Sequence, residues 1–241
     1  MISNQPKRNR AKARLKALYL WFQAFAGSIL FLGLTISASA LFFFAWLADE
    51  VLEGDTEAFD KTVRGFVHGF AGETVTALMN FVTILGSTLF LSIIFVCILI
   101  IFLCKNWKRA AVLLTTTMTG AIILNFVLKV SFARVRPDPF FETPLPDSYS
   151  FPSGHALFAA CFYGALAWLF AARITSPALQ FLVCSSAVLF VFLIGLSRIY
   201  LGVHYPSDVL AGYAAAVVWV STVILVDSIL KNPSKISKYK S

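Results

Sequence analysis

TVTALMNFVTILGSTLFLSIIFVCILIIFLC, residues 74–104, contains no Asp, Glu, Lys or Arg. A helix crossing the hydrocarbon core of a bilayer needs about 20 apolar residues, so this stretch reads as a membrane span with residues to spare. Further uncharged runs occupy 17–48, 110–128, 174–197 and 209–226, with a shorter one at 156–172. Across the 241 residues, 59% are hydrophobic and 13% are charged. Soluble domains carry about 25% charged residues, so composition and pattern agree. The expected fold is all-α, a polytopic membrane bundle of six transmembrane helices. Its parts are a basic N-terminal segment 1–20, a membrane domain 21–230 and a basic tail 231–241.

Lysine and arginine placement orients the spans. Six basic residues lie in 1–16, Lys105, Lys108 and Arg109 lie between spans two and three, Arg173 lies between four and five, and four lysines lie in 231–241. These 14 of the 20 basic residues mark one face as cytoplasmic, with both termini on it. Of the 12 acidic residues only Asp227 shares that face. The net charge of +8 therefore reflects topology and anionic lipid headgroups, and nucleic acid is not an expected partner. The first apolar run is too long for a signal-peptide core and reads as an uncleaved span. Cys97, Cys104, Cys161 and Cys184 fall in or beside apolar runs without metal-ligand spacing, as packing residues would.

Six basic residues break the pattern: Lys61, Arg64, Lys129, Arg134, Arg136 and Arg198. Phe59, Val63, Phe66, Val67 and Phe70 recur at helical spacing, so 54–72 is expected to lie as an amphipathic helix on the outer surface. Lys61, Arg64 and His68 would be its solvated polar stripe. The others stand at span ends. One Lys or Arg there commonly snorkels to the interface. Here three such ends meet on one side of the membrane, beside the stretch SYSFPSGHALFAACF, residues 148–162, whose histidine opens span four.

Lys129, Arg136 and Arg198 beside a helix N-terminus at Ser153 and Gly154 make an anion site suited to phosphate. Gly154 lets the backbone approach closely, and Ser153 can offer a hydroxyl or cap the helix. His204 and Asp208, four apart, share one face if a helix already begins at His204, which would let the carboxylate aim the imidazole. A polar N-cap pair is the alternative for these two alone. No carboxylate cluster suggests a metal, and no cofactor is expected.

Together these residues resemble the three-part signature of the type-2 phosphatidic-acid phosphatase superfamily. Lys129-x6-Arg136-Pro137, PSGH at 152–155, and Ser197-Arg198-x5-His204-x3-Asp208 stand in its order and spacing. Within the superfamily the chain looks most like small bacterial enzymes acting on phosphatidylglycerol phosphate and undecaprenyl diphosphate. The resemblance implies that His204 attacks phosphorus and carries a phosphohistidine, with Asp208 orienting it. His155 would protonate the leaving oxygen. Lys129, Arg136, Ser153, Gly154 and Arg198 would hold the phosphate without a metal, and Arg134 and Ser197 would support them. The expected protein is a cell-membrane phosphatase on phosphorylated lipids, active on the outer face. Transfer of the phosphoryl group to a lipid acceptor, lipid A dephosphorylation, and non-catalytic lipid binding or transport are the alternatives.

Overall fold

The computed structural model describes residues 31–141 and 145–231. The basic segment 1–20, the start of the first span and residues 232–241 lie outside the described residues. The described chain is helical, without strands. Helix α1 covers Phe31–Glu53. It is followed by α2 Glu57–His68, α3 Glu73–Ile84, α4 Thr88–Cys104, α5 Lys108–Phe132, α6 Gly154–Ala171, α7 Pro177–Tyr200 and α8 Pro206–Lys231.

Helices α1, α5, α6, α7 and α8 are each long and apolar enough to cross a bilayer, and α3 with α4 forms a sixth span bent by 48°. The run of 74–104 is thus broken rather than straight. Gly86 sits at the break, and Ser87 restarts the helix as its N-cap, its Oγ accepting from the Phe90 N–H at 3.3 Å. The side chains facing away from the bundle are large and apolar, among them Phe42, Phe126, Phe181 and Val188. Such a surface suits lipid, not water.

Helix α6 is the central element, packed against α5, α7 and α8. Its buried positions include Ala156, Ala159, Cys161 and Ala165, small side chains that allow close helix approach. Cys161 is the one buried cysteine; Cys97, Cys104 and Cys184 face outward, so only the first packs as expected. Helix α1 joins through Leu47 and Ala48, which pack with Phe151 and Ala211. The Phe151 ring lies 4.8 Å from Phe132 and 5.9 Å from Phe44, centroid to centroid. That aromatic wedge pins the loop just before α6. At the opposite end of the bundle, Arg109 donates its Nε to Asp227 at 2.7 Å and ties α5 to α8.

Helix α2 is amphipathic, as its periodicity predicts, but its polar side is only partly solvated. Phe59, Phe66 and Phe70 are exposed. Lys61 is exposed as well, whereas Arg64 and His68 turn toward the protein. The Arg64 guanidinium lies 4.6 Å from the Phe140 ring centre and donates to the Asp138 carbonyl at 2.7 Å. The His68 ring stacks on Phe140 at 4.0 Å. A polar stripe can face inward here because the membrane interface accepts the aromatic side.

Candidate active site

Four helix ends meet beneath α2: the C-termini of α5 and α7 and the N-termini of α6 and α8. Ala133, in the left-handed region at φ 44°, ends α5 and turns the chain toward the loop that carries Arg134 and Arg136. Gly202 closes α7 at φ +75°, where an L side chain is strained, and a Cβ there would stand 2.5 Å from the Phe140 amide nitrogen. This tight turn delivers His204 to the centre of the site.

His204 precedes α8 by two residues, and Pro206 is the first helical position. The pair with Asp208 forms nonetheless, with Nδ1 3.1 Å from Asp208 Oδ2. On the other side of the ring, Nε2 lies 3.0 Å from an Arg136 guanidinium nitrogen. A guanidinium can only donate, so Nε2 carries the lone pair and Nδ1 the proton. That is the tautomer in which a carboxylate aims an imidazole nucleophile. His204 is 1% exposed and Asp208 0%. Burial pushes the imidazole down to about 4, against the pull of Asp208, while Arg136 and Arg198 add to the lowering. The ring is therefore neutral near pH 7.

Asp208 is held by more than the histidine. Its Oδ2 accepts from the Ser150 hydroxyl and, at 2.9 Å, from the Tyr205 N–H. Its Oδ1 accepts from Arg134 at 2.7 Å. The other arm of Arg134 donates to Asp60 Oδ2 at 2.8 Å. Burial works against the Arg134 charge, but Asp208 and Asp60 outweigh it and hold the guanidinium above its ordinary pKa. Asp60, Ser150 and Ser207 are site residues that sequence reasoning did not single out. Asp60 stands in α2, and the only signal it gave was an acidic residue at helical spacing from Arg64.

The cations gather at the same end of the bundle. Arg136 is braced by the carbonyls of Ser148 at 2.7 Å and Val203 at 3.0 Å, and Lys129 donates to the Tyr149 carbonyl. Arg198 donates to Thr83 Oγ1 at 2.6 Å, while its Nε is buried without a partner among the described residues. Ser153 Oγ is likewise buried and unpaired. Its N–H donates to the Asp208 carbonyl at 2.9 Å, so the N-termini of α6 and α8 are locked together. Gly154 has Asn125 against it, since a Cβ would lie 3.3 Å from Asn125 Oδ1. His155, half-buried in the first turn of α6, lies within electrostatic range of Arg198, His204, Arg136 and Lys129. The break in the second span packs close by: a Cβ on Gly86 would collide with Ile194 Cγ2 and stand in ordinary contact, 3.5 Å, with the imidazole Cδ2. All eight predicted site residues thus gather at one end of the bundle.

Buried donors without partners are rare in folded proteins. Two of them, Arg198 Nε and Ser153 Oγ, stand with Lys129 and Arg136 at the N-terminus of α6, a set of donors whose chemistry suits a multiply charged oxyanion. A neutral, aimed imidazole stands at its edge. Among the described residues, no three His, Cys, Asp or Glu side chains gather as a metal site would need.

A six-span bundle with these donors gathered at one end defines a polytopic membrane protein with a candidate phosphate site. The chain belongs to the PAP2 superfamily, whose model matches residues 109–229. It is 33% identical over 181 residues to phosphatidylglycerophosphatase B of Bacillus subtilis, covering 73% of this chain and 87% of that protein. It is 34% identical over 114 residues to an undecaprenyl-diphosphatase of Sulfolobus acidocaldarius, covering 45% and 51%. A crystal structure of a transmembrane PAP2-type phosphatidylglycerolphosphate phosphatase from Bacillus subtilis superposes with a TM-score of 0.74 at 28% identity. That match covers 80% of this chain and 96% of the other.

Proposed function

We propose that the chain is a membrane phosphatase that removes phosphate from phosphorylated or diphosphorylated lipids. Undecaprenyl diphosphate, phosphatidylglycerol phosphate and phosphatidate are the substrates proposed. The reading is carried by one observation: a buried, neutral His204, aimed by Asp208 and facing Arg136, beside the unpaired donors Arg198 Nε and Ser153 Oγ. Membership of the PAP2 superfamily and the likeness to lipid-phosphate phosphatases support it.

His204 Nε2 forms a bond to phosphorus as the bond to the lipid-side oxygen breaks. The positive charge on the phosphorylated imidazole is stabilised by Asp208 through Nδ1–H. His155 gives its proton to the departing oxygen, then takes one from the water that attacks the phosphohistidine. That attack releases inorganic phosphate and restores His204. Lys129, Arg136 and Arg198 offset charge on the phosphoryl oxygens, with the backbone at Ser153 and Gly154 adding donors. These cations occupy the role that Mg²⁺ has in many phosphoryl-transfer enzymes, so the reaction needs no metal. The proposed placement puts the site on the outer face and both termini in the cytoplasm, from the distribution of basic residues.

The test uses purified protein in detergent with ³²P-labelled lipid phosphates and excess chelator. Wild type should release phosphate and show an acid-labile phosphoenzyme on rapid quench, and His204→Ala should show neither. Activity in His204→Ala, or activity lost in chelator and restored by a divalent ion, would sink the corresponding step.

A further inference from the structure

We infer that Asp60 of the surface helix α2 is a positioning residue for the His204–Asp208 pair and acts through Arg134. The inference rests on the reading of His204 as nucleophile. Asp60 is 1% exposed although it belongs to a helix on the outside of the bundle. A buried carboxylate is a costly anchor, and an apolar side chain would dock α2 at less expense. The contacts suggest what the charge is for.

Asp60 accepts three close hydrogen bonds, all from the neighbourhood of Asp208. Ser207 N–H donates to Oδ1 at 2.9 Å, and Ser207 Oγ and Arg134 donate to Oδ2 at 2.6 and 2.8 Å. Ser207 is the second residue of α8, so Asp60 caps the first turn of that helix from across the fold, where a negative charge favours the dipole. Arg134 then spans two carboxylates, one arm on Asp60 and the other on Asp208 Oδ1. Thr56 Oγ1 accepts from the first arm at 3.3 Å, and the plane of the guanidinium lies over Tyr205 at 4.1 Å.

The division of oxygens matters. Asp208 Oδ2 serves His204, with Ser150 and the Tyr205 N–H on the same oxygen, because Arg134 takes only Oδ1. A guanidinium beside a single carboxylate prefers to dock with two parallel hydrogen bonds. Released from Asp60, Arg134 would rotate to take both oxygens of Asp208 and compete with Nδ1–H for Oδ2. The imidazole would then lose its aim and its preference for the Nδ1–H tautomer. By holding one arm of Arg134, Asp60 keeps Asp208 available to the histidine.

Asp60→Asn tests this, since an amide can still accept from Ser207 but not from two donors at the second oxygen. We expect kcat to fall between about 10- and 100-fold, with KM within twofold, as for a misplaced catalytic group. Ring ¹⁵N spectra of His204, assigned with variants of the other two histidines, should move from the Nδ1–H toward the Nε2–H tautomer. Arg134→Lys should fall likewise, because one ammonium cannot span two carboxylates in fixed geometry. Asp60→Glu should recover part of kcat. Adding Asp60→Asn to Arg134→Gln should cost nothing more. Should Asp60→Asn not yield folded protein, Asp60→Glu and Arg134→Lys carry the same spectral readout. Wild-type kcat with an unaltered ring spectrum, a lowered melting temperature alone, or additive losses in the double variant would each overturn the inference. If wild type forms no phosphoenzyme on His204, the reading beneath it fails and the inference falls with it. If wild type and Asp60→Asn label equally fast, only the inference fails.

Discussion

Alanine at Gly212 and alanine at Gly164 are the same chemical change in two membrane helices, and the structure gives them opposite signs. Both remove a helical glycine, which in water is worth up to about 1 kcal/mol in favour of alanine. At Gly164 a new Cβ meets nothing within 4 Å. At Gly212 it would stand 2.8 Å from the Ser153 carbonyl oxygen, 3.0 Å from Ala156 Cβ and 3.3 Å from the Leu157 amide. Ordinary contact begins near 3.4 Å, so α8 must retreat from α6 by about half an ångström. Backbone atoms are the obstacle, so no rotamer change relieves it. Overpacking of this kind costs about 1–3 kcal/mol, enough to cancel or exceed the helix gain. The catalytic effect is more telling. Ser153 and Asp208 are joined by a 2.9 Å backbone hydrogen bond one turn away, so the same retreat draws the proposed phosphate cradle from His204, the proposed nucleophile. A misplacement of 1 Å can cost about 10²-fold, and half of that sets the expectation at about tenfold in kcat for Gly212→Ala. Gly164→Ala should keep wild-type kcat and melt no lower than wild type. The assay is phosphate release from a lipid phosphate in detergent, alongside a thermal melt by size exclusion. Full kcat in Gly212→Ala, or an equal loss in Gly164→Ala, would refute the packing argument.

His155→Ala should lose about 10²–10⁴-fold on an alkyl phosphate and far less on an aryl phosphate whose phenol leaves unprotonated, whereas His204→Ala should be inactive on both. Equal losses of both variants on both substrates would return His155 to the phosphate cradle. Because burial places the His204 midpoint near 4, below its ordinary value of 6.5, the unfolded chain binds the extra proton first. Its contribution to stability is full above about pH 6.5 and is lost as pH falls through 4. A ring ¹³C titration with a His204 midpoint at 6 or higher would contradict this. In a background free of the four native cysteines, a cysteine at 145–148 should react with an impermeant thiol reagent on intact cells, and one at 1–16 should not. The reverse pattern would invert the topology.

The spans were legible because a bilayer imposes one simple demand, about 20 uncharged residues, and the sequence met it six times. The bend in 74–104 was legible in principle. The run exceeds one span by some ten residues, and Gly86-Ser87 offers a break followed by a cap. The proposed cradle was readable because Lys129, Arg136, Ser153, Arg198 and His204 stand at or just beyond helix ends, where polarity among apolar runs is conspicuous. Asp60 and Ser150 were not. Their partners lie 147 and 58 residues away in the chain, and an acidic residue on an amphipathic surface helix looks solvated until the fold turns that face inward. Arg134 was placed beside the signature, but its bridge between two carboxylates depends on α2, which periodicity alone could not dock.

Helix α6 presents a problem of biogenesis. It is both the most deeply packed of the single-helix spans and the least apolar. Its helix begins at Gly154 and His155, and it holds alanines and Gly164 but no valine or isoleucine, which its neighbours α5, α7 and α8 all carry. On leaving the translocon it therefore partitions into lipid less favourably than α7 or α8, which follow it. Its residence in the membrane depends on helices synthesised afterwards, which cover its small-residue faces through van der Waals contact. The general-acid candidate thus rides on the least apolar span, which packs against α5 before it and α7 and α8 after it. A chain truncated after α6 lacks His204 and Asp208 and the two helices that cover that span.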